Sequence, residues 1–439
     1  MTDAKATTGI ATSKKLTDIS SPVTGPTVTV NGRVYACPKA PTIVVCVDGS
    51  ERAYLTQAIK AGLMPWTEKT LASGSNLSAR SVLPSFTNPN NLSIVTGRPP
   101  AVHGISGNFF YDRDSGEEVM MNDPRFLRAG TIMAGFHKAG ARVAVVTAKD
   151  KLRKLLGHGL TFDAGDNNSA VCFSAEKCNG TTRAEHGIDD AQSFIGCAVP
   201  DVYSADLSEV VFQAGVKLLQ TSRPDIMYLS TTDFIQHKYA PGEAAANEFY
   251  GMMDSYWAKL DELGAVLLLT ADHGMNPMHK ADGSPDVVYL QPLLDDIVGA
   301  GKARVICPIT DPYVVHHGAL GGFVTAYLPD GTDIAGTCAK LAAVDGIEWA
   351  GSGAEGCQRF ELPQDRLGDI IVVSRRNKAI GIAPEQHDLS ALREPLRSHG
   401  GLSTQEVPMI VNRQVTGLDN SIDLRNFDAF CLALNHVPG

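Results

Sequence analysis

Long apolar runs and Cys-x-x-Cys pairs are missing from this sequence, and we expect no cleavable leader. Apolar runs such as Ala265–Leu269 are far too short to span a bilayer. The N-terminal stretch MTDAKATTGIATSKK lacks the apolar centre of a signal peptide. The nine cysteines form no Cys-x-x-Cys pair, and their odd number suits reduced, mostly buried thiols. We therefore expect no membrane partner and a cytoplasmic location.

A basic cluster is missing as well. The formal net charge is -10 at pH 7, and no block of like charges stands out. Nucleic-acid-binding surfaces usually carry a basic patch, so we expect no nucleic-acid partner. An anionic substrate would need positive charge supplied locally, by metal ions or by lysines. The 439 residues suffice for one large α/β domain with a substantial insertion.

Short apolar segments alternate with segments of helical period along most of the chain. The apolar segments, typical of strands buried on both faces, are Thr42–Val47, Arg142–Val146, Asp225–Ser230 and Ala265–Thr270. The helical periods occupy Ala53–Leu63, Ser208–Thr221 and Ala244–Glu262. This alternation predicts an α/β fold in which a mostly parallel sheet is sandwiched by helices.

The sequence divides into a tail, a core and an insertion. Residues 1–25 are rich in Ser and Thr, and we expect a poorly ordered tail. Asn31-Gly32 suits a type I′ turn, which predicts a hairpin of Thr27–Val30 with Arg33–Ala36. Shorter strands and helices over 277–367 predict a smaller inserted α+β cap, after which Asp369–Ser374 is predicted to rejoin the core sheet. The core would then comprise 26–276 and 368–439.

Acidic residues follow three of the predicted core strands. They are Asp48, Asp233 and Asp272. Ligands of open parallel sheets bind at the carboxyl ends of the strands, and carboxylates gathered there repel one another unless cations neutralise them. His273 adjoins Asp272, and His237 follows Asp233 by four residues, which in a helical turn places both on one face. Aspartate and histidine together suit Zn²⁺.

A candidate nucleophile stands at the predicted start of a helix. Thr87 precedes the segment Asn88-Pro89-Asn90-Asn91, and threonine is a good N-cap before a proline in the first turn. The positive end of the helix dipole favours an alkoxide there, and a metal would lower the hydroxyl pKa further. Downstream, Asn108 lies in a glycine-containing turn that could present its amide to an oxyanion.

The remaining histidines are interpreted as structural or surface residues. They are His103, His137, His158, His186, His279, His387 and His436. The pair His316-His317 lies in the predicted cap and is kept as a weaker ligand candidate. Taken singly, an aspartate at a strand end or a threonine before a helix is usually only a cap. The expectation that all these residues meet at one sheet edge is what favours a metal site.

The order of these motifs resembles that of the alkaline phosphatase superfamily. The motifs are Val47-Asp48-Gly49, Phe86-Thr87-Asn88-Pro89-Asn90, Val95-Thr96-Gly97, Gly104-Ile105, Asp233 with His237, and Ala271-Asp272-His273-Gly274-Met275. Within it, the pattern is most similar to the nucleotide pyrophosphatase/phosphodiesterase branch and its relatives that hydrolyse phosphonoacetate. The resemblance covers roughly 41–276 and 369–439 and implies an alkaline-phosphatase-like core. It also suggests a homodimer, which no sequence pattern here establishes.

The resemblance implies two zinc ions and one further ligand, His399, in the segment Arg397-Ser398-His399-Gly400-Gly401. One zinc would be held by Asp233, His237 and His399. The other would be held by Asp48, Thr87, Asp272 and His273. Two Zn²⁺ ions, three aspartates and a threonine alkoxide sum to zero charge, so a phosphoryl dianion could enter. Thr87 would attack phosphorus and water would free the covalent intermediate.

Three functions stay open for such a site. The leading one is hydrolysis of phosphonoacetate to acetate and phosphate, because Lys149 and Lys151 follow a predicted core strand and could pair with a substrate carboxylate. A phosphodiesterase or nucleotide pyrophosphatase would instead need an aromatic slot, to which Phe86, Phe109, Phe110 and Tyr111 could contribute. A non-catalytic zinc-binding protein is the third. A sulfatase is excluded, because the segment after Thr87 lacks the arginine that sulfatases carry.

Overall fold

The fold is described by a computed structural model. It covers residues 14–16, 23, 25–162, 169–201, 204–309, 318–390, 392–419 and 421–438. The strands are β1 Thr27–Val30, β2 Arg33–Ala36, β3 Thr42–Cys46, β4 Ser75–Arg80, β5 Phe109–Asp112, β6 Glu117–Met120, β7 Val143–Thr147, β8 Val171–Ser174, β9 Ile226–Ser230, β10 Val266–Thr270, β11 Asn276–Pro277, β12 Val287–Tyr289, β13 Arg304–Ile306, β14 Phe323–Tyr327, β15 Ile347–Ser352, β16 Ile370–Ser374, β17 Ala379–Gly381, β18 Arg397–Ser398 and β19 Glu406–Val411.

The α-helices connect and cover these strands. They are α1 Arg52–Lys60, α2 Pro65–Ser73, α3 Thr87–Thr96, α4 Pro100–His103, α5 Ile132–Lys138, α6 Asp150–Leu156, α7 Arg183–His186, α8 Ala191–Ile195, α9 Asp206–Thr221, α10 Phe234–Lys238, α11 Ala244–Glu262, α12 Leu290–Val298, α13 Ile334–Ala342, α14 Gly353–Phe360 and α15 Ala429–Asn435. Within the described ranges, no helix is long and apolar enough to cross a membrane.

The core is a seven-stranded sheet in the order β4-β19-β10-β3-β9-β7-β8. Strands β10, β3, β9, β7 and β8 run parallel, whereas β19 pairs antiparallel with both β10 and β4. Successive residues of a strand point to opposite faces. Accordingly Val44 packs into one apolar cluster and Val45 into another, and helices cover both. The predicted mostly parallel sheet between two helical layers is confirmed.

The predicted N-terminal hairpin is also confirmed. Strands β1 and β2 pair antiparallel, and Asn31 and Gly32 both have positive φ, as a type I′ turn requires. Of the expected N-terminal tail, only residues 14–16, 23 and 25 are described. Among these, Leu16 is buried against the core cluster on one face of the sheet.

A second sheet, in the order β13-β14-β16-β15, forms the centre of the inserted region. All its pairings are antiparallel, and it has an apolar cluster of its own. The prediction that Asp369–Ser374 rejoins the core sheet is wrong, because β16 lies between β14 and β15. Every residue of β16 is buried, and a uniformly apolar strand does not specify which sheet it enters. The core sheet receives β19 instead.

Candidate active site

Three neighbouring parallel strands end at one edge of the core sheet, each just before an aspartate. Strand β3 lies between β10 and β9, with all three running in the same direction. Asp48 follows β3, Asp233 follows β9 and Asp272 follows β10. The strand register alone therefore brings the three predicted carboxylates to one edge.

Asp233, His237 and His399 form one cluster, which we call the Asp233 group. Asp233 precedes α10 and His237 lies on it, so their spacing of four residues places both on one face. Asp233 Oδ2 lies 2.8 Å from His237 Nε2 and 3.7 Å from His399 Nε2. The three side chains offer ligand atoms within 4.8 Å of one another. The histidine that only the family resemblance supplied is therefore adjacent to the other two.

Asp48, Asp272 and His273 form a second cluster, the Asp48 group. His273 Nε2 lies 3.3 Å from Asp48 Oδ1 and 3.6 Å from Asp272 Oδ2. Asp272 and His273 are completely buried, and Asp48 is 4% exposed. The His273 ring stacks on the His399 ring, with the ring centroids 3.5 Å apart. The two groups are therefore neighbours.

The three histidine rings are oriented by backbone carbonyl oxygens. His237 Nδ1 lies 2.8 Å from the Arg397 carbonyl oxygen, and His399 Nδ1 lies 2.7 Å from that of Ser85. His273 Nδ1 lies 3.0 Å from the Gly274 carbonyl oxygen. A carbonyl only accepts, so each Nδ1 carries the proton and each Nε2 faces the carboxylates with a lone pair. Metal-binding histidines are held in this way.

The charges of the two groups suit a cation. Burial raises the pKa of Asp48 well above its usual value, and the nearby Asp233 and Asp272 raise it further. Burial and the neighbouring His273 and His237 lower the pKa of His399 well below its usual range, which keeps this imidazole neutral. Within the described chain, Asp48 Oδ1 and His273 Nε2 are buried without a hydrogen-bond partner. Such atoms are costly unless something else binds them, and a metal ion would.

Thr87 lies at the start of α3, a helix that is hydrogen-bonded to the Asp48 group. The N-cap of this helix is Phe86, so Thr87 is the first helical residue and the predicted N-cap position is off by one. The helix is tied to the Asp48 group by Asn91, whose Nδ2 donates to Asp272 Oδ2 at 3.2 Å and to the Thr87 carbonyl at 3.1 Å. Thr87 is half-buried, and its hydroxyl makes no hydrogen bond with the described residues. A free hydroxyl at this position suits a nucleophile.

Asn108 lies beside the first turn of α3. Its Oδ1 accepts a hydrogen bond from the backbone N–H of Asn88 at 3.1 Å. This bond fixes the orientation of the amide, since only the oxygen can accept. Its Nδ2 donates to none of the described residues. The amide donor next to Thr87 therefore stays available for an oxyanion.

The two lysines occupy different positions around α6. Lys149 is its N-cap, and its charge lowers the pKa of Asp48, although burial of that carboxyl dominates. This cation therefore lies close enough to act on the Asp48 carboxyl. Lys151 lines a separate cavity of about 510 Å³ whose lining mixes lysines with acidic residues and includes no residue of the Asp48 or Asp233 group.

Asn91 is a supporting residue of the candidate site that the sequence interpretation missed. Besides the two bonds from its Nδ2, its Oδ1 accepts from the Tyr228 hydroxyl at 2.7 Å and from Ser230 Oγ at 2.9 Å. It therefore links α3 to β9 beneath the site. Its position four residues after Thr87, in a run of asparagines poorly suited to a helix, was the available signal.

Two of the histidines interpreted as structural make hydrogen bonds away from the candidate site. His103 is fully buried and lies 2.8 Å from Ser93 Oγ, and His387 accepts from the Ile382 N–H through Nε2. The pair His316-His317 lies outside the described residues.

A family model agrees with this arrangement. Residues 42–401 match the model for type I phosphodiesterase/nucleotide pyrophosphatase. The chain belongs to this family, as the sequence resemblance implied. Murine ectonucleotide pyrophosphatase/phosphodiesterase 5 has the same fold, with a TM-score of 0.59 and 15% identity over 91% of this chain and 96% of that one.

Within the family, the chain is similar to phosphonoacetate hydrolase. Two crystal structures of that enzyme from Sinorhizobium meliloti 1021, in complex with phosphonoformate and with phosphonoacetate, match with a TM-score of 0.91. The identity is 62%, covering 94% of this chain and 100% of that chain. A phosphonoacetate hydrolase from Penicillium oxalicum is 48% identical over 47 residues, 10% of this chain. The matched residues make up 65% of the length of that relative, so this chain spans slightly less than two thirds of it.

Proposed function

We propose that this chain hydrolyses the carbon–phosphorus bond of phosphonoacetate and releases acetate and phosphate. The observation that carries the proposal is the hydrogen bond that links the helix of Thr87 to one of two candidate metal groups, in a chain 62% identical to an enzyme solved with phosphonoacetate bound. The family supports phosphoryl chemistry, and the predicted role of Lys149 and Lys151 would account for the choice of a carboxylated phosphonate.

We assign one zinc ion to the Asp233 group and a second to Asp48, Thr87, Asp272 and His273. The donor set of carboxylates and imidazoles suits Zn²⁺, and the partnerless Asp48 Oδ1 and His273 Nε2 need a bound cation. When bound, the zinc ions would neutralise the phosphonate oxygens and lower the pKa of the Thr87 hydroxyl.

Thr87 begins the reaction by attacking phosphorus in line with the carbon that leaves. The Thr87 oxygen forms a bond to phosphorus, its proton passes to solvent, and the electron pair of the broken bond goes to the acetate carbon. Asn108 Nδ2 donates to the phosphoryl oxygens as their charge develops. The resulting phosphothreonine is hydrolysed by water, which restores the hydroxyl and releases phosphate.

Lys149 and Lys151 bind the carboxylate of the substrate. Cleavage expels a carbanion, which is tolerable only when its charge spreads onto the carboxylate oxygens as an acetate enediolate. A lysine ammonium is a point charge that stabilises those oxygens while the charge develops. The effect of Lys149 on Asp48 supports its assignment to this role. The enediolate then takes one proton and leaves as acetate.

The test is phosphate release from phosphonoacetate by the purified protein, first with zinc and then with a chelator. We expect release with zinc, its loss on chelation and its return when zinc is added back. Absence of release from a protein that demonstrably binds two zinc ions would contradict the proposed substrate. A rate unchanged by complete zinc removal would contradict the proposed metal chemistry.

Phosphodiester hydrolysis is the second candidate, because the family model describes that activity. It needs an aromatic slot for a base. Phe86 and Phe110 are buried and pack on other aromatic rings, with Phe86 against His399 and Phe323 and Phe110 against Phe126. This packing disfavours an open slot. Zinc-dependent cleavage of an aryl phosphodiester without release from phosphonoacetate would favour this candidate instead.

A further inference from the structure

A buried arginine connects the two segments that carry the Asp233 group. Arg397 lies in β18, two residues before His399, and is 7% exposed. Its Nε donates to the Gln236 carbonyl at 2.9 Å, and its Nη2 donates to the Tyr54 hydroxyl at 3.0 Å. Its own carbonyl oxygen accepts from His237 Nδ1 at 2.8 Å. The side chain and the backbone of one residue thus hold the same helix.

That helix cannot position a ligand by itself. Helix α10 has five residues, far below the length at which an isolated helix is stable. The carbonyls of a helix's last turn have no partner within the helix. Arg397 binds the Gln236 carbonyl, and the Tyr54 hydroxyl donates to the Tyr239 carbonyl at 2.8 Å. The end of α10 that follows His237 is therefore fixed from outside.

A second layer of contacts fixes Tyr54 in turn. The Tyr54 ring stacks on that of Tyr250, with the centroids 5.1 Å apart and the planes 5° apart. The Tyr250 hydroxyl donates to Ser50 Oγ at 2.8 Å and accepts from Gln236 Nε2 at 3.2 Å. All four side chains, those of Tyr54, Tyr250, Ser50 and Gln236, are buried. Within the described chain Gln236 Oε1 has no hydrogen-bond partner, but the hydroxyls of Tyr54, Tyr250 and Ser50 are all hydrogen-bonded, and such buried hydrogen bonds restrain the groups that they join.

We propose that Arg397 is a positioning residue for zinc at the Asp233 group. Its guanidinium fixes the backbone of α10, and its carbonyl fixes the ring of His237 with Nε2 towards Asp233. A guanidinium donates in two directions at once with a rigid geometry, which a lysine cannot reproduce. The proposal rests on the metal assignment made above, but not on the substrate.

The test measures zinc affinity separately at the two groups. Asp48→Asn weakens zinc binding at the Asp48 group, so that the Asp233 group can be titrated separately, and His237→Ala weakens binding at the Asp233 group for the converse measurement. Zinc binding is followed by competition with a chelator in each background, with and without Arg397→Gln. Changes around metal ligands cost about 10- to 100-fold in affinity. We expect a loss of about that size in the Asp48→Asn background and no change in the His237→Ala background.

Arg366→Gln is the matched control. Arg366 is also buried and also donates to two backbone carbonyls, those of Gly104 and Phe126, but it contacts neither metal group. We expect a comparable fall in melting temperature with unchanged zinc affinity at both groups. Arg397→Lys should recover part of the affinity that Arg397→Gln loses.

Tyr54→Phe provides a milder variant should Arg397→Gln fail to fold. It removes the hydroxyl that binds both Arg397 and the Tyr239 carbonyl. We expect a smaller loss of zinc affinity, again confined to the Asp233 group. The proposal would be overturned if Arg397→Gln bound zinc at the Asp233 group with unchanged affinity. If only Tyr54→Phe folds, unchanged affinity in that variant would overturn it. Equal losses at both groups would also overturn it. Zinc binding is measured without substrate. The test of Arg397 can therefore be interpreted even if the protein does not hydrolyse phosphonoacetate.

Discussion

Replacing Thr87 with alanine should remove the chemistry and leave the fold intact. Thr87 is the first residue of α3, the N-cap position belongs to Phe86, and the Thr87 hydroxyl makes no hydrogen bond with the described residues. No protein hydrogen bond is therefore lost, and alanine has the higher helix propensity. Since the side chain is only half-buried, we expect the free energy of unfolding of the metal-free protein to change by less than about 0.5 kcal/mol.

The effect on catalysis should be far larger. Without the hydroxyl no phosphothreonine forms, and only positioning and charge stabilisation remain. We expect the rate of phosphate release to fall by about a thousandfold or more, equivalent to roughly 4 kcal/mol of barrier. Zinc should stay bound at the Asp48 group, because Asp48, Asp272 and His273 remain as ligands. Thr87→Ser keeps the nucleophile and should retain activity within about tenfold of the parent.

The assay is steady-state phosphate release at saturating zinc, with zinc content and urea unfolding measured on the same samples. A Thr87→Ala protein that turns over at the parent rate would refute the assignment of the nucleophile. A fall of several kcal/mol in the free energy of unfolding of this variant would refute the inference that the Thr87 hydroxyl does not stabilise the fold.

Three further predictions follow from the site and its surroundings. Lys149→Ala and Lys151→Ala should each reduce turnover of phosphonoacetate strongly and that of an aryl phosphate little, and equal losses on both substrates would contradict the carboxylate role. Asn108→Ala should lower kcat by about 10²- to 10³-fold with zinc retained, as loss of an oxyanion donor does, so an unchanged kcat would exclude that role. Burial lowers the pKa of His103 from 6.5 to about 3. Its contribution to stability is therefore complete above pH 6.5 and is lost as the pH falls towards 3, by roughly 2–3 kcal/mol at pH 4.5. Urea unfolding of the chelated protein at pH 7 and pH 4.5 should show a smaller pH dependence in His103→Gln, whereas an identical dependence would contradict this.

The core was predictable because its signals are local and repeat with a regular period. Strands buried on both faces are uniformly apolar, and helices between them keep parallel neighbours in order. Helix α11 was predicted with its observed bounds, Ala244–Glu262, because its apolar period is long. Strand β16 is equally apolar, but nothing in five buried residues identifies the sheet they join. Pairing partners are decided by tertiary contacts, and there the prediction was wrong.

The same distinction separates the two candidate metal groups. The Asp48 group comes from the ends of adjacent parallel strands, β3 and β10. Once these strands are predicted, the residues that follow them are predicted as candidate ligands. The Asp233 group is completed by His399, which lies beyond the whole inserted region, and the residues themselves gave no reason to choose it. Its geometry rests on hydrogen bonds between distant segments, such as His237 to the Arg397 carbonyl and His399 to that of Ser85. The spacing of residues along the sequence does not predict such bonds, because each joins a residue before the inserted region to a residue after it. Substitutions in these supporting residues should therefore disturb the Asp233 group before the Asp48 group.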